Sequence, residues 1–343
     1  MKRMPYALWR HLLFALEPER AHRLALAALD VQARLGLARL WAGALPERPV
    51  ELLGLRFKNR VGLAAGLDKN AKHLAALAQL GFGFLEIGTL TPKAQPGNPP
   101  PRLFRLVEHE ALINRLGFNN DGVNAAVARL AARSLDVPVG VNIGKNASTP
   151  NERAKQDYLA ALRAVFLHAD YVAVNVSSPN TPTLRELQSP RWIGELIGAL
   201  VGERDRLARL HGRRCPIAVK LAPDLAHETV PSIVEALLDA GAEAIICSNT
   251  TVSRDGVTEH PLAREAGGLS GRPLAPLADR LLAQVAECVR GRVPLIGVGG
   301  ILSVEDAKRK LDLGADLVQL YTGLIYRGPG LVGELVRALA EAG

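Results

Sequence analysis

The chain is poor in cysteine, in aromatic residues and in long apolar runs, and each shortage removes a class of protein. Three cysteines occur in 343 residues, Cys215, Cys247 and Cys288, with no CxxC spacing. A disulfide framework and a structural zinc site are therefore excluded, and a reducing compartment is expected. Eight histidines form no HExxH or similar pair, so no protein-ligated metal is expected. Aromatics are 4% of the chain and interleave with no Lys/Arg run, which disfavours nucleic acid as the partner of a chain whose formal charge is +8. No apolar run approaches the ~20 residues of a spanning helix. Two nucleotide fingerprints also fail. GVGGIL at 297–302 has Leu302 where a third glycine belongs, and GVNIGK at 140–145 is one residue short between its glycines, with Asn146 where Ser or Thr belongs.

The basic excess is uneven. Residues 1–40 hold seven basic side chains (Lys2, Arg3, Arg10, Arg20, Arg23, Arg34, Arg39) against Glu17, Glu19 and Asp30. The beginning resembles a signal peptide, but Arg10 and His11 interrupt its apolar part and no small-residue cleavage site follows. Tyr6, Trp9, Leu13 and Leu16 fall at helical spacing within 5–17, and Pro18 breaks the pattern. A second helix is expected over 19–40. Two amphipathic helices with basic polar sides suit either a surface that dips into lipid headgroups or an ordinary packed hairpin. Residues 41–49, with Gly43, Pro46 and Pro49, read as a linker.

From Val61 the pattern becomes strand then helix, eight times over. Strands are expected at 61–66, 84–90, 138–143, 171–176, 217–221, 244–247, 294–298 and 317–320, with helices between and after them. Eight such units predict an α/β fold, a (β/α)8 TIM barrel preceded by the amphipathic helical hairpin. The domain division is 1–45 for the helical extension and 46–343 for the barrel. Insertions fall at 91–118 and 251–272, and loops of that length are commonly functional.

The run YVAVNVSSPNT at 171–181 shows why the strand ends matter. Its apolar part suits a strand buried on both faces, and Pro179 stops it. The polar cluster beyond lies where such barrels keep their active sites, though Ser and Asn also build ordinary turns. Every other strand end is polar or glycine-rich as well: Ala65-Gly66-Leu67-Asp68-Lys69, Thr89, Asn142, Lys220, Ser248-Asn249-Thr250, Gly299-Gly300 and Tyr321-Thr322-Gly323. Glycines after the seventh and eighth strands predict a phosphorylated ligand. The absence of a carboxylate pair counts against a glycosidase and a dinuclear metal hydrolase. Asparagine carboxamides match the amide edges of a flat heterocycle, and Lys69 and Lys220 add positive charge for an anion or a reduced cofactor.

The motifs AGLDKN (65–70), EIGTLTPKAQPGNPPPRLFRL (86–106), INRLGFNN (113–120), VNIGKN (141–146), NVSSPNTP (175–182), VKLAPD (219–224), SNTT (248–251), GGLSGRP (267–273), GVGGI (297–301) and LYTG (320–323) resemble those of the dihydroorotate dehydrogenase family. The resemblance implies an FMN-containing barrel that oxidises dihydroorotate to orotate in pyrimidine (UMP) biosynthesis, an oxidoreductase acting on a CH–CH bond. Ser178, in the position of the family's catalytic base, and the helices at 5–40 resemble the quinone-dependent, membrane-associated class 2. The class 1 base is a cysteine, and none stands near the corresponding place.

Carried over position by position, the resemblance implies FMN contacts at Ala65, Gly66, Leu67, Asp68, Lys69, Thr89, Asn142, Asn175, Lys220, Ser248, Gly271, Gly300, Tyr321 and Thr322. Substrate contacts would be Lys69, Asn114, Arg115, Leu116, Gly117, Phe118, Asn175, Asn180, Asn249 and Thr250, with no metal. At Ser248 a threonine is common in the family, and the hydroxyl is retained. The implied reaction takes a proton from C5 to Ser178 and a hydride from C6 to N5 of FMN. A serine must pass its proton on, and Thr181 with an ordered water is the expected relay. Quinone would arrive through the hairpin past His22 and Arg102, two residues that also suit a surface histidine and an ion-paired arginine. A peripheral location on the cytoplasmic side of the membrane is expected, with no nucleic-acid partner. The other readings are a soluble-acceptor enzyme of class 1 type, a different FMN barrel, and a non-enzymatic membrane-surface protein.

Overall fold

The computed structural model describes residues 6–341; Lys2 and Arg3, counted above among the basic side chains, and the first position of the helix expected over 5–17 lie outside them. Two helices come first, α1 (Tyr6–Phe14) and α2 (Pro18–Arg34). Pro18 ends one pattern and starts the next because its missing N–H costs nothing in a first helical turn. Glu17 caps α2 by accepting from the amides of Glu19 and Arg20. The expected second helix is shorter than 19–40: it breaks at Gly36, φ +71°, and a 3-10 turn covers Ala38–Leu40. The expected linker is docked. Ala38, Trp41 and Ala42 are buried, and Arg337 donates to the carbonyls of Ala42 and Ala44.

A small hairpin, β1 (Val50–Leu52) and β2 (Leu55–Phe57), precedes the repeating part. There follow β3 (Val61–Leu63), α3 (Leu74–Ala78), β4 (Phe84–Leu90), β5 (Leu103–Leu106), β6 (Ala111–Asn114), α4 (Val123–Ala131), β7 (Val139–Ile143), α5 (Ala154–Val165), β8 (Tyr171–Asn175) and α6 (Pro190–His211). The chain continues through β9 (Ile217–Leu221), α7 (Val230–Asp239), β10 (Ala244–Cys247), β11 (Gly268–Gly271), α8 (Ala275–Val289), β12 (Leu295–Val298), α9 (Val304–Asp312), β13 (Leu317–Leu320), α10 (Thr322–Arg327) and α11 (Gly330–Glu341).

Eight strands, β3, β4, β7, β8, β9, β10, β12 and β13, pair in parallel and in chain order, and β13 returns to β3 to close the barrel. These are the eight expected strands. The two insertions, read as loops, instead pair with each other: β11 joins β6 and β6 joins β5, all antiparallel. Backbone groups that would be orphaned in a long covered loop thereby find partners.

The barrel strands are buried on both sides, which is why β8 reads YVAVN without alternation. Their interior is graded. Phe57, Phe84, Ala218, Ala244, Ile296 and Leu317 pack an apolar floor, whereas Glu86, Asn142, Asn175, Lys220 and Gln319 are buried polar groups above it. Gly140 makes room for Tyr171, since a Cβ there would stand 2.1 Å from its ring.

Candidate active site

The carboxyl ends of the barrel strands, β11 and the loops around them enclose a pocket. Its lining includes Ala65, Gly66, Lys69, Thr89, Asn114, Leu116, Gly117, Phe118, Asn175, Ser178, Asn180, Lys220, Ser248, Asn249, Thr250, Gly271, Gly300, Tyr321 and Thr322. Four expected residues stand outside that lining. Asn142 lies one layer down, accepting from Thr89 at 2.6 Å and from Asn175 at 3.2 Å. The Asp68 carboxylate accepts from the amides of Asn70, Lys72 and His73 and so shapes the loop that carries Lys69. Leu67 faces a second, apolar cavity. Arg115 pairs with Glu265 at 2.6 Å and lies over the Phe104 ring, because a guanidinium beside a carboxylate and an aromatic face is better placed there than in the pocket.

Other lining residues were not anticipated from the sequence. Gln319 is buried with Oε1 unpartnered, and Ser270 and Leu274 come from the segment read as a loop and from the turn after it. Alternation along β13 places Gln319 on the same side as Tyr321, which is the signal that would have found it. Arg185 was also missed. It donates to the carbonyls of Ser177 and Thr250 and pairs with Asp224, binding two polar strand ends together.

Asparagines dominate the wall. Asn175 donates to Thr89 at 3.0 Å, Asn249 donates to Asn175 at 3.3 Å and to Ser177 at 3.0 Å, and Asn180 donates to Asn114 at 3.1 Å. Ser178 is 5% exposed, and its Oγ accepts from the Asn180 amide at 3.2 Å. The Thr181 hydroxyl is buried without a partner among the described residues. Burial brings the Lys69 ammonium down to about 8 against the opposing pull of Glu19, and Nζ donates to the Gly66 carbonyl. Burial also lowers Lys220, which Glu86 opposes. Such costs are borne where a charged ligand repays them. The Cys215 and Cys247 thiols are pushed up to about 12 by burial, and no cysteine lines the pocket.

The apolar cavity opens between the two N-terminal helices and the barrel, lined by Tyr6, Trp9, Leu13, Phe14, Leu26, Leu67, Ile325 and others. Tyr321 belongs to both cavities and forms the wall between them. His22 also lines the apolar cavity, and burial lowers its imidazole to about 3, so it is neutral there. Arg102 is the ion-paired arginine of the two readings: it meets Glu19 of α2 at 3.0 Å and donates to the carbonyls of Pro96 and Asn98. No helix among the described residues is long and apolar enough to cross a membrane.

Comparison with known proteins agrees with this arrangement. The family model described as dihydroorotate dehydrogenase matches residues 49–342. A protein of Alkalilimnicola ehrlichii named dihydroorotate dehydrogenase (quinone) is 54% identical over 98% of this chain and 99% of its own length. One of the same name from Delftia acidovorans is 52% identical over 99% of each. The crystal structure of an Eimeria tenella DHODH in complex with ferulenol superposes with a TM-score of 0.85 at 35% identity, covering 96% of this chain and 94% of that one. Barrel, polar pocket and full-length kinship together place the chain in the quinone-dependent dihydroorotate dehydrogenase family of oxidoreductases.

Proposed function

We propose that the protein oxidises dihydroorotate to orotate with FMN in the polar pocket and passes the electrons to a quinone held in the apolar cavity. The observation that carries this reading is Tyr321, one side chain that walls both cavities. A two-electron donor and a lipid-soluble acceptor can then use one flavin from separate sides.

The residues suit a flavin mononucleotide. The Gly300 amide, in backbone of φ +76°, has no acceptor among the described residues, and Gly271 and Thr322 stand near it in the lining, which fits a phosphate. Gln319 Oε1 is buried without a partner among the described residues, and the Lys220 ammonium lines the same pocket, which fits a polar heterocycle with an anionic reduced form. Ala65, Gly66, Thr89, Asn175, Ser248 and Tyr321 would complete the cradle, with Asn142, Leu67 and Asp68 behind it. Bound there, FMN would supply at N5 the acceptor for the hydride leaving C6 and the route for the electrons to quinone.

Lys69 would hold the substrate carboxylate. Asn114, Asn175, Asn180, Asn249 and Thr250 would hold the ring amides, with Leu116, Gly117 and Phe118 closing over them and Arg115 securing that segment from outside. Fixing C5 and C6 in this way supplies proximity, which is worth several kcal/mol of barrier. Ser178 accepts the C5 proton as it gives up its own, and the Thr181 hydroxyl, buried without a partner among the described residues, is the relay that with an ordered water passes that proton on towards solvent. An unchanged rate of flavin reduction in Thr181→Val would remove that relay.

Residues 1–45 act as the quinone entrance and 46–343 as the FMN-binding barrel. Leu8, Trp9, Leu12, Leu24, Val31 and Leu35 are exposed on α1, α2 and the turn after them, which supports a peripheral position in the headgroup region; the cytoplasmic side is the proposed face. No nucleic-acid or metal partner is part of the reading. Anaerobic mixing of the flavoprotein with dihydroorotate tests it. Bleaching of the flavin, reversed quickly by a short-chain quinone and not by fumarate, is expected. Reversal by fumarate would overturn the acceptor, and no bleaching would overturn the substrate.

A further inference from the structure

Glu86 lies in the middle of β4, has no exposed surface, and has no place in the reaction just described. A buried carboxylate is costly unless its oxygens are satisfied. Three side chains satisfy this one. Asn142 Nδ2 donates to Oε1 at 2.9 Å, while Tyr171 Oη and Gln319 Nε2 donate to Oε2 at 2.9 and 2.8 Å. Gly140, which cannot carry a Cβ against the Tyr171 ring, is what lets that hydroxyl reach the barrel axis.

The bond from Asn142 has consequences further up. A carboxylate only accepts, so Asn142 presents its amide NH2 downward and its Oδ1 upward. That Oδ1 accepts from Thr89 at 2.6 Å and from Asn175 Nδ2 at 3.2 Å. Asn175 then turns its own Oδ1 to accept from Asn249 Nδ2 at 3.3 Å, and Asn249 turns its Oδ1 to accept from the Thr250 backbone amide at 2.8 Å. The chain has one direction from end to end. A group that can only accept closes it at the bottom, and a backbone N–H that can only donate closes it at the top.

We infer that Glu86 is a positioning residue for the substrate pocket: it fixes which way the Asn142 carboxamide faces, and through Asn142 Oδ1 it holds Thr89 and Asn175, whose own Oδ1 also accepts from the Ser177 backbone amide at 3.2 Å, and so sets which donors and acceptors the pocket offers a planar ring of alternating amides. This inference rests on the function proposed above. Glu86 also provides the negative charge that opposes the lowering of Lys220 by burial. A glutamine at 86 has the same shape but one acceptor oxygen for three donors. Tyr171 and Gln319 can turn to suit it, whereas Asn142 gains a second orientation and loosens the chain above.

The test is a double-mutant cycle read by orotate affinity, from the change orotate makes in the flavin spectrum of the holoenzyme. E86Q is expected to weaken orotate about fivefold in the otherwise unchanged protein and less than about twofold when Asn142→Ala has already cut the chain between Glu86 and Asn175. Equal losses in both backgrounds, or no loss in either, would overturn the inference. Tyr171→Phe removes a donor to Glu86 that lies off the chain. It should lower the melting temperature and leave orotate affinity within about twofold, and a loss as large as that of E86Q would also overturn it. If E86Q does not fold, the cycle runs with E86D, which draws the carboxylate one methylene away from Asn142. Orotate failing to perturb the flavin of the unsubstituted protein would instead be a failure of the proposed function.

Discussion

Arg185 meets Asp224 at 2.7 Å, and the same guanidinium donates to the carbonyls of Ser177 at 3.0 Å and Thr250 at 2.8 Å. The other carboxylate oxygen of Asp224 accepts from Thr251. One planar fork therefore ties the strand end that carries Ser178 to the strand end that carries Asn249 and Thr250.

Arg185→Lys keeps the charge and loses the fork, so it cannot reach all three acceptors. Flavin content should stay the same while kcat/KM for dihydroorotate falls about 10- to 100-fold, because small misplacements of reacting groups are expensive. Steady-state kinetics on protein of matched flavin content checks this, and wild-type kcat/KM would show that the clamp is not needed.

Ser178→Ala removes the proposed base from a pocket that otherwise keeps its asparagines. Stopped-flow reduction of the flavin by dihydroorotate should slow by about 10²- to 10⁴-fold, the range of a lost general base. Orotate should still bind within a few-fold of normal. A variant that reduces its flavin at full rate would place the base elsewhere.

Lys69 gives the pocket a pH dependence. Its ammonium sits at about 8, below the ordinary 10.5, mainly through desolvation. A lowered lysine loses its proton as pH rises through that value, and an anionic ligand binds the charged form. Orotate affinity should therefore be level below pH 7 and weaken above about pH 8, by up to about tenfold per unit. Lys69→Arg, which stays charged, should flatten the curve, and an unchanged curve would assign the titration to another group.

Leu8, exposed on α1, tests membrane contact separately from chemistry. It is 67% exposed and stands outside the lining of the apolar cavity, so Leu8→Glu should disturb neither the core nor that cavity. Sedimentation with anionic vesicles should fall by about tenfold or more, given about 25 cal/mol for each Å² of apolar surface that enters lipid. Melting temperature should move by less than about two degrees. Undiminished sedimentation would move the contact away from α1.

Much of this architecture was legible in the sequence because strand burial in a parallel barrel is written residue by residue. Val172, Val174, Ile217, Val219, Ile245 and Ile296 are buried, and each stretch ends where a polar or glycine residue begins. The polar strand ends were legible for the same reason, since a closed barrel brings all of its carboxyl ends together once the strands are counted. Tertiary structure alone decided the rest. The pairing of β11 with β6 joins residues about 150 positions apart, and local periodicity holds no information on such a contact. Arg185, Gln319 and Glu86 read as an ordinary cation, an ordinary amide and an ordinary acid, because their roles depend on acceptors and donors from other strands. Tyr321 could be placed at a strand end from its neighbours, but not at a wall between two cavities until α1 and α2 had packed against the barrel. Sequence determines which faces must be buried; only folding decides which buried polar atoms meet, since each hydrogen bond needs a partner within about 3 Å and in line.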